Sequence, residues 1–386
     1  MSAFKKLIYP LGLGLGLLPI KVFAHGEAEE PPSGVPISVY AFGALVLLLI
    51  VLLSFYIKVK KKVQALQNGK KKEDRIKRQK LLKFGWQLSL VGVVITSSIL
   101  VIGDRLSARK EVYLEHVHGL GYSTDGKRIL IPAHEGIKMY SDGKWDDAEG
   151  EKHDYMGLSV VDNGFYSSGH PAPGSDKKNP FGIVKSTDEG KTFQTLDLYG
   201  KMDFHNMAIG YKSHTIYVIN PESNPRMSST GLYYSTDDAT TWTKSAMKGI
   251  DQEATALAVH PSDKAMVAIG TQSGVYLSKD YGQTFEKILS KDQATSLFFD
   301  NEGTLFVSGY SKQAYLLKLD IVSKKTDGIK IPDLTEDAIA YFAENPVKAN
   351  EMAFATFKKD IYVSKDNGVR WTKIADQGKV ISAKDK

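Results

Sequence analysis

The chain has 386 residues, of which 42% are hydrophobic and 24% charged, with a formal net charge of +6 at pH 7 and no cysteine. The absence of cysteine excludes a fold held by disulfides, so any exported part must be stabilised by burial of a large core. The length allows more than one domain, and the first 110 residues differ in composition from the rest.

The N-terminus has the pattern of a secretory signal. Two lysines, Lys5 and Lys6, precede an apolar run over residues 7–20, and a small-residue cleavage site follows at Ala24. This order of a charged, an apolar and a cleavable region predicts export. We expect residues 1–24 to be a signal peptide, with an uncleaved anchor as the alternative, and residues 25–35 to be extracytoplasmic.

Two further apolar segments, residues 36–57 and 84–103, are each long enough to cross the hydrocarbon core of a bilayer. The segment between them, 58–83, carries twelve Lys or Arg and two acidic residues, a net charge of +10. Short basic loops stay in the cytoplasm. We therefore expect two transmembrane helices, a cytoplasmic loop at 58–83, a linker at 104–110 and an extracytoplasmic domain over 111–386.

This topology also accounts for the global charge. The whole chain is +6 and the segment 58–83 alone is +10, so the remainder sums to −4. The basic balance therefore indicates membrane orientation and contact with anionic lipid. We expect the membrane as a partner and no nucleic acid.

Four copies of one short motif, S-x-D-x-G-x-T-W/F, with single departures in two copies, punctuate the second half of the chain. Their aspartates, Asp188, Asp237, Asp280 and Asp366, are 49, 43 and 86 residues apart, and the last interval is twice the one before it. One repeat with an eroded motif should therefore lie between the last two, and a shortened motif at Asp142 adds another at the start. Six units of about 44 residues with short strands and Gly-rich turns predict an all-β, six-bladed propeller.

The motif resembles the Asp-box, or BNR repeat, of sialidases, sortilin-type receptors and a photosystem assembly factor. In that family it joins the outer two strands of a blade, on the side away from the ligand face. The resemblance implies that the four aspartates accept hydrogen bonds across a tight turn, that Gly supplies a positive φ and that the aromatic residue packs between blades. We expect them to be structural.

The innermost strand of each blade is predicted to start near the mouth of the central channel. Side chains two apart lie on one side of a strand, and the second strand of a blade ends on the face where the first begins. The predicted starts of the six inner strands are His116, Asp154, Asp203, Glu253, Gln293 and Asp337. The second strands of blades 1 and 2 end at His134 and His170.

Histidines should therefore gather on one side of this face, above blades 1 to 3. The two longest loops at this level, residues 169–181 and 220–231, belong to the same sector, which indicates recognition. Imidazole and carboxylate groups are the ligands that zinc, copper, iron and manganese take. We predict a divalent transition-metal site on His118, His134, His170, Asp203 and His205. The alternatives are a pocket without metal and histidines that only satisfy buried polar groups.

Residues 115–375 also resemble exported bacterial Asp-box proteins generally labelled glycosylhydrolase-like, through His118-Gly-Leu120, Gly169-His-Pro171 and Asp203-Phe-His205. A true sialidase needs three clustered arginines, and the blades hold only Arg128, Arg226 and Arg370 at unsuitable positions. Another glycosidase would need two carboxylates across a cleft, and Asp154 with Asp203 are the catalytic candidates.

Two functions follow as hypotheses. The first is a membrane-anchored extracytoplasmic propeller that binds a metal ion or an envelope protein and serves assembly or sensing. The second is a hydrolase acting on envelope or extracellular glycans at the same face. Two membrane spans favour a tethered binding module.

Overall fold

The computed structural model describes residues 37–65, 69–107 and 113–382, and the chain divides into two compact units, Met1–Arg109 and Lys110–Lys386. The predicted signal peptide at 1–24 and the segment 25–35 lie outside the described residues. Each unit is described by itself.

The first unit contains two helices that contact each other, α1 (Ile37–Gln64) and α2 (Lys70–Ser107). Within the described ranges one helical stretch, Lys72–Ser98, is long and apolar enough to cross a membrane. It overlaps the predicted span 84–103, and its large apolar side chains, such as Phe84 and Val94, are mostly exposed. This test uses length and composition only, so the prediction of two transmembrane helices is not confirmed.

The predicted cytoplasmic segment 58–83 is largely helical in its described part. The end of α1 and the start of α2 cover residues 58–64 and 70–83, and Gly69 has a φ of +142°. Lys, Arg, Gln and Glu are good helix formers, and the segment has no proline, so the helices continue beyond the apolar residues. The predicted linker is likewise helical at residues 104–107.

The second unit is a ring of six antiparallel sheets in which strands next to each other in sequence pair. This confirms the all-β, six-bladed prediction, including the eroded fifth repeat. The strands are β1 (Gly121–Tyr122), β2 (Ile129–Ala133), β3 (Gly136–Ser141) and β4 (Lys144–Asp147) in blade 1; β5 (Asp154–Val161), β6 (Gly164–His170), β7 (Ile183–Ser186) and β8 (Gln194–Asp197) in blade 2; β9 (Met207–Ile209), β10 (Ile216–Asn220), β11 (Gly231–Ser235) and β12 (Thr243–Lys244) in blade 3; β13 (Ala256–Val259), β14 (Val267–Thr271), β15 (Gly274–Ser278) and β16 (Glu286–Ser290) in blade 4; β17 (Ala294–Phe299), β18 (Leu305–Ser311), β19 (Gln313–Leu319) and β20 (Thr326–Ile329) in blade 5; and β21 (Ile339–Glu344), β22 (Met352–Thr356), β23 (Ile361–Ser364), β24 (Thr372–Asp376) and β25 (Lys379–Val380) in blade 6.

The hydrophobic core consists of six clusters, each placed between two neighbouring blades. A blade has two apolar faces, and each face needs a neighbouring blade to cover it. The aromatic residue of each motif packs into the cluster shared with the preceding blade, as Trp242 does between blades 2 and 3 and Phe285 does between blades 3 and 4. The motif therefore supplies a packing element at each interface except that between blades 4 and 5, where the fifth motif is eroded.

The chain closes the ring between blades 6 and 1. Strand β25 pairs with β24, the backbone of Tyr113 forms an isolated bridge with Lys379, and the N–H of Leu114 donates to the carbonyl of Gly378 at 2.7 Å. Leu114 is fully buried in the cluster between these two blades. Both ends of the propeller segment thus join the last sheet, a point that the sequence left open.

Each Asp-box joins the third and fourth strands of its blade, as predicted. In blade 4 the carboxylate of Asp280 accepts from the Ser278 hydroxyl at 2.7 Å and from the N–H and hydroxyl of Thr284 at 2.9 and 2.6 Å. Asp188 and Asp237 repeat these contacts with threonine, and Asp366 accepts from Arg370 instead. The fifth residue of the motif has a positive φ in all four copies, with values of +90°, +64°, +77° and +80°.

Replacing Asp280 with Ala should lower the free energy of unfolding by about 1–2 kcal/mol, because it removes the acceptor of three donors, and the exposed Thr284 groups regain hydrogen bonds from water. Chemical denaturation of the full chain measures this change. Asp333→Ala, at an exposed position, is the control and should leave stability unchanged. Ligand affinity of the chain that remains folded should survive Asp280→Ala, and its loss would contradict a structural role.

Candidate functional site

His118, His134 and Asp154 meet at the face of the propeller where the inner strands begin. The isolated bridge between Val117 and Ala133 sets His118 beside His134 at the edge of blade 1. Asp154 is the first residue of β5 in blade 2. One ligand atom from each of the three side chains can be chosen so that all lie within 4.8 Å of one another.

The distances within this group do not suit hydrogen bonds. Nε2 of His118 lies 3.6 Å from Oδ1 of Asp154, and Nε2 of His134 lies 3.5 Å from Oδ2 of the same carboxylate. A good N–H···O bond spans about 2.7–3.2 Å. Two atoms bound to one tetrahedral ion at about 2.0–2.1 Å are about 3.4 Å apart. The spacing therefore matches ligands around a shared cation better than it matches a hydrogen-bonded pair.

Two buried polar atoms of the group lack a hydrogen-bond partner. Nε2 of His118 and Oδ1 of Asp154 are both inaccessible to solvent and have no hydrogen-bond partner among the described residues. A buried polar atom without a partner costs free energy. A cation between these two atoms would satisfy both of them.

The histidines of blade 1 are packed against one another. The ring of His116 stacks on His134 with centroids 4.3 Å apart, and His118 stacks on His134 at 5.1 Å. Burial lowers the pKa of His118, Asp154 opposes this shift, and the nearby histidines lower the pKa further. The lowered pKa favours the neutral imidazole of His118, which is the form that coordinates a metal.

A second group lies on blades 2 and 3. Nε2 of His170 is 3.2 Å and Nε2 of His205 is 2.8 Å from Oδ2 of Asp203. His170 and Asp154 are direct partners in the pairing of β6 with β5, so the second group adjoins the first.

The structure thus brings the five predicted metal ligands to one sector but divides them into two groups. His118 and His134 belong with Asp154, which we had assigned a catalytic role only. His170 and His205 surround Asp203. The signal in the sequence that Asp154 lies in this sector was its position at the start of an inner strand, and β5 pairs it with His170.

Other predicted features of the face have structural roles. Asp337 does not face the channel mouth as predicted, since it is buried and accepts from the N–H groups of Ala338 and Lys358. Loop 169–181 reaches the face through Asn179, which contacts His170. Arg226 of loop 220–231 pairs instead with Asp197 on the outer strand of blade 2.

The three remaining histidines of the described residues are held within turns and packing away from the two groups. His153 is buried, and its Nδ1 accepts from the N–H of Ala172. His214 contacts Asp162. His260 accepts from the N–H groups of two residues in the following turn.

The central channel opens beside both groups. It encloses a cavity of about 520 Å³, and His118 and His205 form part of its wall. Farther along the same cavity, burial and then the charge of Asp300 raise the pKa of Glu344 to about 7. A small molecule in the channel would contact His118 of the first group.

Comparison with known proteins agrees with the fold. The sequence model of the family described as Sortilin, neurotensin receptor 3 matches residues 182–330. No curated protein sequence matches the chain.

Solved structures with similar folds include the following three. They are a GH74 enzyme of Niastella koreensis (16% identity, TM-score 0.46, 67% of this chain and 45% of that chain), YCF48 bound to a D1 peptide (14%, 0.41, 68% and 81%) and the gluconolactonase XC5397 of Xanthomonas campestris (12%, 0.46, 64% and 85%). This chain thus spans less than half of the GH74 enzyme. Identities and TM-scores this low carry no argument about function.

The sequence match covers blades 2 to 5 in part, and the Asp-box turns of blades 2, 3, 4 and 6 have the hydrogen bonds that the motif predicts. The six sheets supply the matching architecture. Residues 113–382 form a six-bladed β-propeller with Asp-box turns, and residues 182–330 of it are similar to the sortilin family model.

Proposed function

We propose that this chain is a membrane-tethered, extracytoplasmic binding module whose propeller holds a divalent transition-metal ion on His118, His134 and Asp154. The observation that carries the proposal is the spacing of these three side chains, which is too long for hydrogen bonds and suits a shared ion. The apolar surface of α2 and the basic residues 58–83 support the tether.

The ligand chemistry limits the choice of ion. Two imidazole nitrogens and a carboxylate suit zinc, copper, iron, nickel or manganese, whereas magnesium and calcium prefer oxygen alone. Three protein ligands leave a coordination position open, as in sites that bind water or a substrate. That position, together with the channel beside His118, gives an envelope protein or small molecule a place to bind.

The full chain in detergent, stripped with a chelator, should gain thermal stability when Zn²⁺, Cu²⁺ or Mn²⁺ is added. An ion at a hundred times its dissociation constant stabilises the folded state by about 2.7 kcal/mol, which raises Tm by several degrees. His118→Ala and Asp154→Asn should each abolish the rise, because each removes a ligand atom.

His260→Ala is the matched control. It removes a histidine that only accepts hydrogen bonds in a turn, so it should lower the starting Tm but keep the metal-dependent rise. A wild-type chain whose Tm ignores all the ions above, and iron and nickel too, would overturn the proposal.

Glycoside hydrolysis by Asp154 and Asp203 is the second candidate. Both carboxylates lie in the sector of the channel mouth, each contacted by two histidines. If a glycosidase uses them as acid and base, a chelator should leave its activity on chromogenic glycosides intact while Asp203→Asn abolishes it. Absence of any glycan cleavage by the wild-type chain would remove this candidate.

A further inference from the structure

The far end of the central channel carries two carboxyl groups. The inner strands run away from the histidine face, so their last residues lie at the other end of the cavity. Glu344 is the last residue of β21, and Asp300 directly follows the last residue of β17; both line the cavity that His118 lines at its other end. At about 3.3 Å per residue, the six residues of β21 separate Glu344 from the start of its strand by roughly 17 Å.

The carboxyl group of Glu344 lacks a partner of opposite charge. The charges of Asp300 and Lys318 act on it, but neither forms a hydrogen bond or an ion pair with it in the described part of the chain. The ammonium group of Lys318 lies instead 3.4 Å from Oδ1 of Asn367 and 5.1 Å from the centre of the Phe306 ring. A half-buried carboxylate without a cation beside it costs free energy.

The other neighbours of Glu344 do not supply that charge. Asp300 is buried, and its Oδ1 accepts from the N–H groups of Glu302 and Thr304 in its own turn. Tyr122 of β1 is also within the field of Glu344, and burial raises the pKa of its hydroxyl, so it adds no positive charge. This end of the channel therefore has an excess of negative charge.

The wall between the two ends of the channel is mostly apolar. Leu158, Leu257 and Tyr341 lie on the inner strands of blades 2, 4 and 6 and line the cavity, where they are only half-buried. Small-molecule sites in proteins combine such an apolar wall with a few polar groups that fix the orientation of the ligand. Here the polar group at the far end is a carboxylate.

We infer that the channel binds a small organic cation whose charged group pairs with the carboxylate of Glu344 and whose apolar part lies along the inner strands. The cation supplies the charge that this carboxylate lacks, and the apolar wall favours an alkylammonium or arylammonium ion over an inorganic one. The site lies at the opposite end of the cavity from His118, so it does not depend on the proposed metal ion.

Calorimetric titration of the full chain in detergent with hexylamine tests this inference. A chelator stays in the buffer, because an amine also binds transition metals. At pH 8 we expect hexylamine to bind about tenfold more tightly than hexanol or hexanoate, and Glu344→Gln to reduce its affinity about tenfold, since the variant keeps the size of the side chain and removes its charge. Glu222→Gln, at an exposed position that does not line the cavity, is the matched control and should bind as the wild type does.

The pH dependence separates Glu344 from the histidines of the cavity. The pKa of Glu344 is about 7, so the affinity of the wild type for hexylamine should fall about tenfold from pH 8 to pH 6, as the carboxylate takes up a proton. The affinity of Glu344→Gln should not change over this range. At pH 8 this variant should melt no lower than the wild type, because burial disfavours the carboxylate that it replaces.

Three results would overturn the inference. They are no binding of hexylamine, binding that Glu344→Gln leaves unchanged, and binding of hexanol or hexanoate as tight as that of hexylamine, which would make the channel an apolar site without a preference for positive charge. None of them bears on the proposed metal site, which the metal-dependent rise in Tm tests separately.

Discussion

A chain that ends at Asp376 should lose roughly 5 kcal/mol of stability. The deletion removes β25 and the bridge that it forms with Tyr113. It also removes Gly378, whose carbonyl accepts from Leu114, and Ile381, whose carbonyl accepts from Trp145. Each hydrogen bond contributes about 1 kcal/mol, and exposure of Leu114 costs about 2 kcal/mol more. The full chain in detergent should then melt roughly 10 °C lower.

A chain that ends at Ser382 is the matched control, because it keeps every one of these contacts. Its melting temperature should equal that of the wild type. If the shorter chain, ending at Asp376, also melted at the wild-type temperature, the ring would not depend on this closure. The expected loss is large because the first and last blades of a propeller have no direct chain connection between them. Noncovalent contacts alone must hold that interface together.

The number and order of the blades could be predicted because the motif is tied to one turn. The Asp-box needs a carboxylate, a hydroxyl and a positive φ at fixed positions, so its spacing measures the length of a blade. The eroded fifth blade shows how little of the motif is necessary. Asp320 stands at the same turn and accepts from the N–H groups of Val322 and Ser323 without the rest of the pattern.

The starts of the inner strands were harder to predict. We placed them at equivalent residues in all blades, but β5 begins at Asp154 whereas β9 begins only at Met207 and β21 at Ile339. The residues before a strand have no alternation to fix which way they face. Asp337 shows the consequence, because its carboxylate turns inward to cap the N–H groups of a neighbouring loop.

The ligand groups of the candidate site depend on tertiary contacts that spacing does not encode. The sequence indicated that histidines of blades 1 to 3 would gather on one face, since this follows from strand direction alone. Which histidine shares which carboxylate depends on the stagger between neighbouring blades. In the structure Asp154 lies near His118 and His134, and Asp203 lies near His170 and His205.

The membrane orientation can be tested cleanly because the chain has no cysteine. A single cysteine introduced as Val322→Cys, at a propeller position that is 84% exposed, should react with a membrane-impermeant maleimide on intact spheroplasts. Lys62→Cys, at an exposed position in the basic segment, should react only after the membrane is permeabilised. The reason for this expectation is the net charge of +10 over residues 58–83, since short basic segments stay on the cytoplasmic side.

The labelling difference should be nearly all-or-none, since an impermeant reagent reaches one side of the membrane only. Permeabilised cells supply the control, in which both variants should react, and the cysteine-free wild type should react in neither condition. The reverse pattern, with Lys62→Cys labelled on intact spheroplasts and Val322→Cys protected, would place the propeller in the cytoplasm. The proposed extracytoplasmic role would then be wrong, and the proposed metal site would stand, because its geometry depends only on the contacts within the ring.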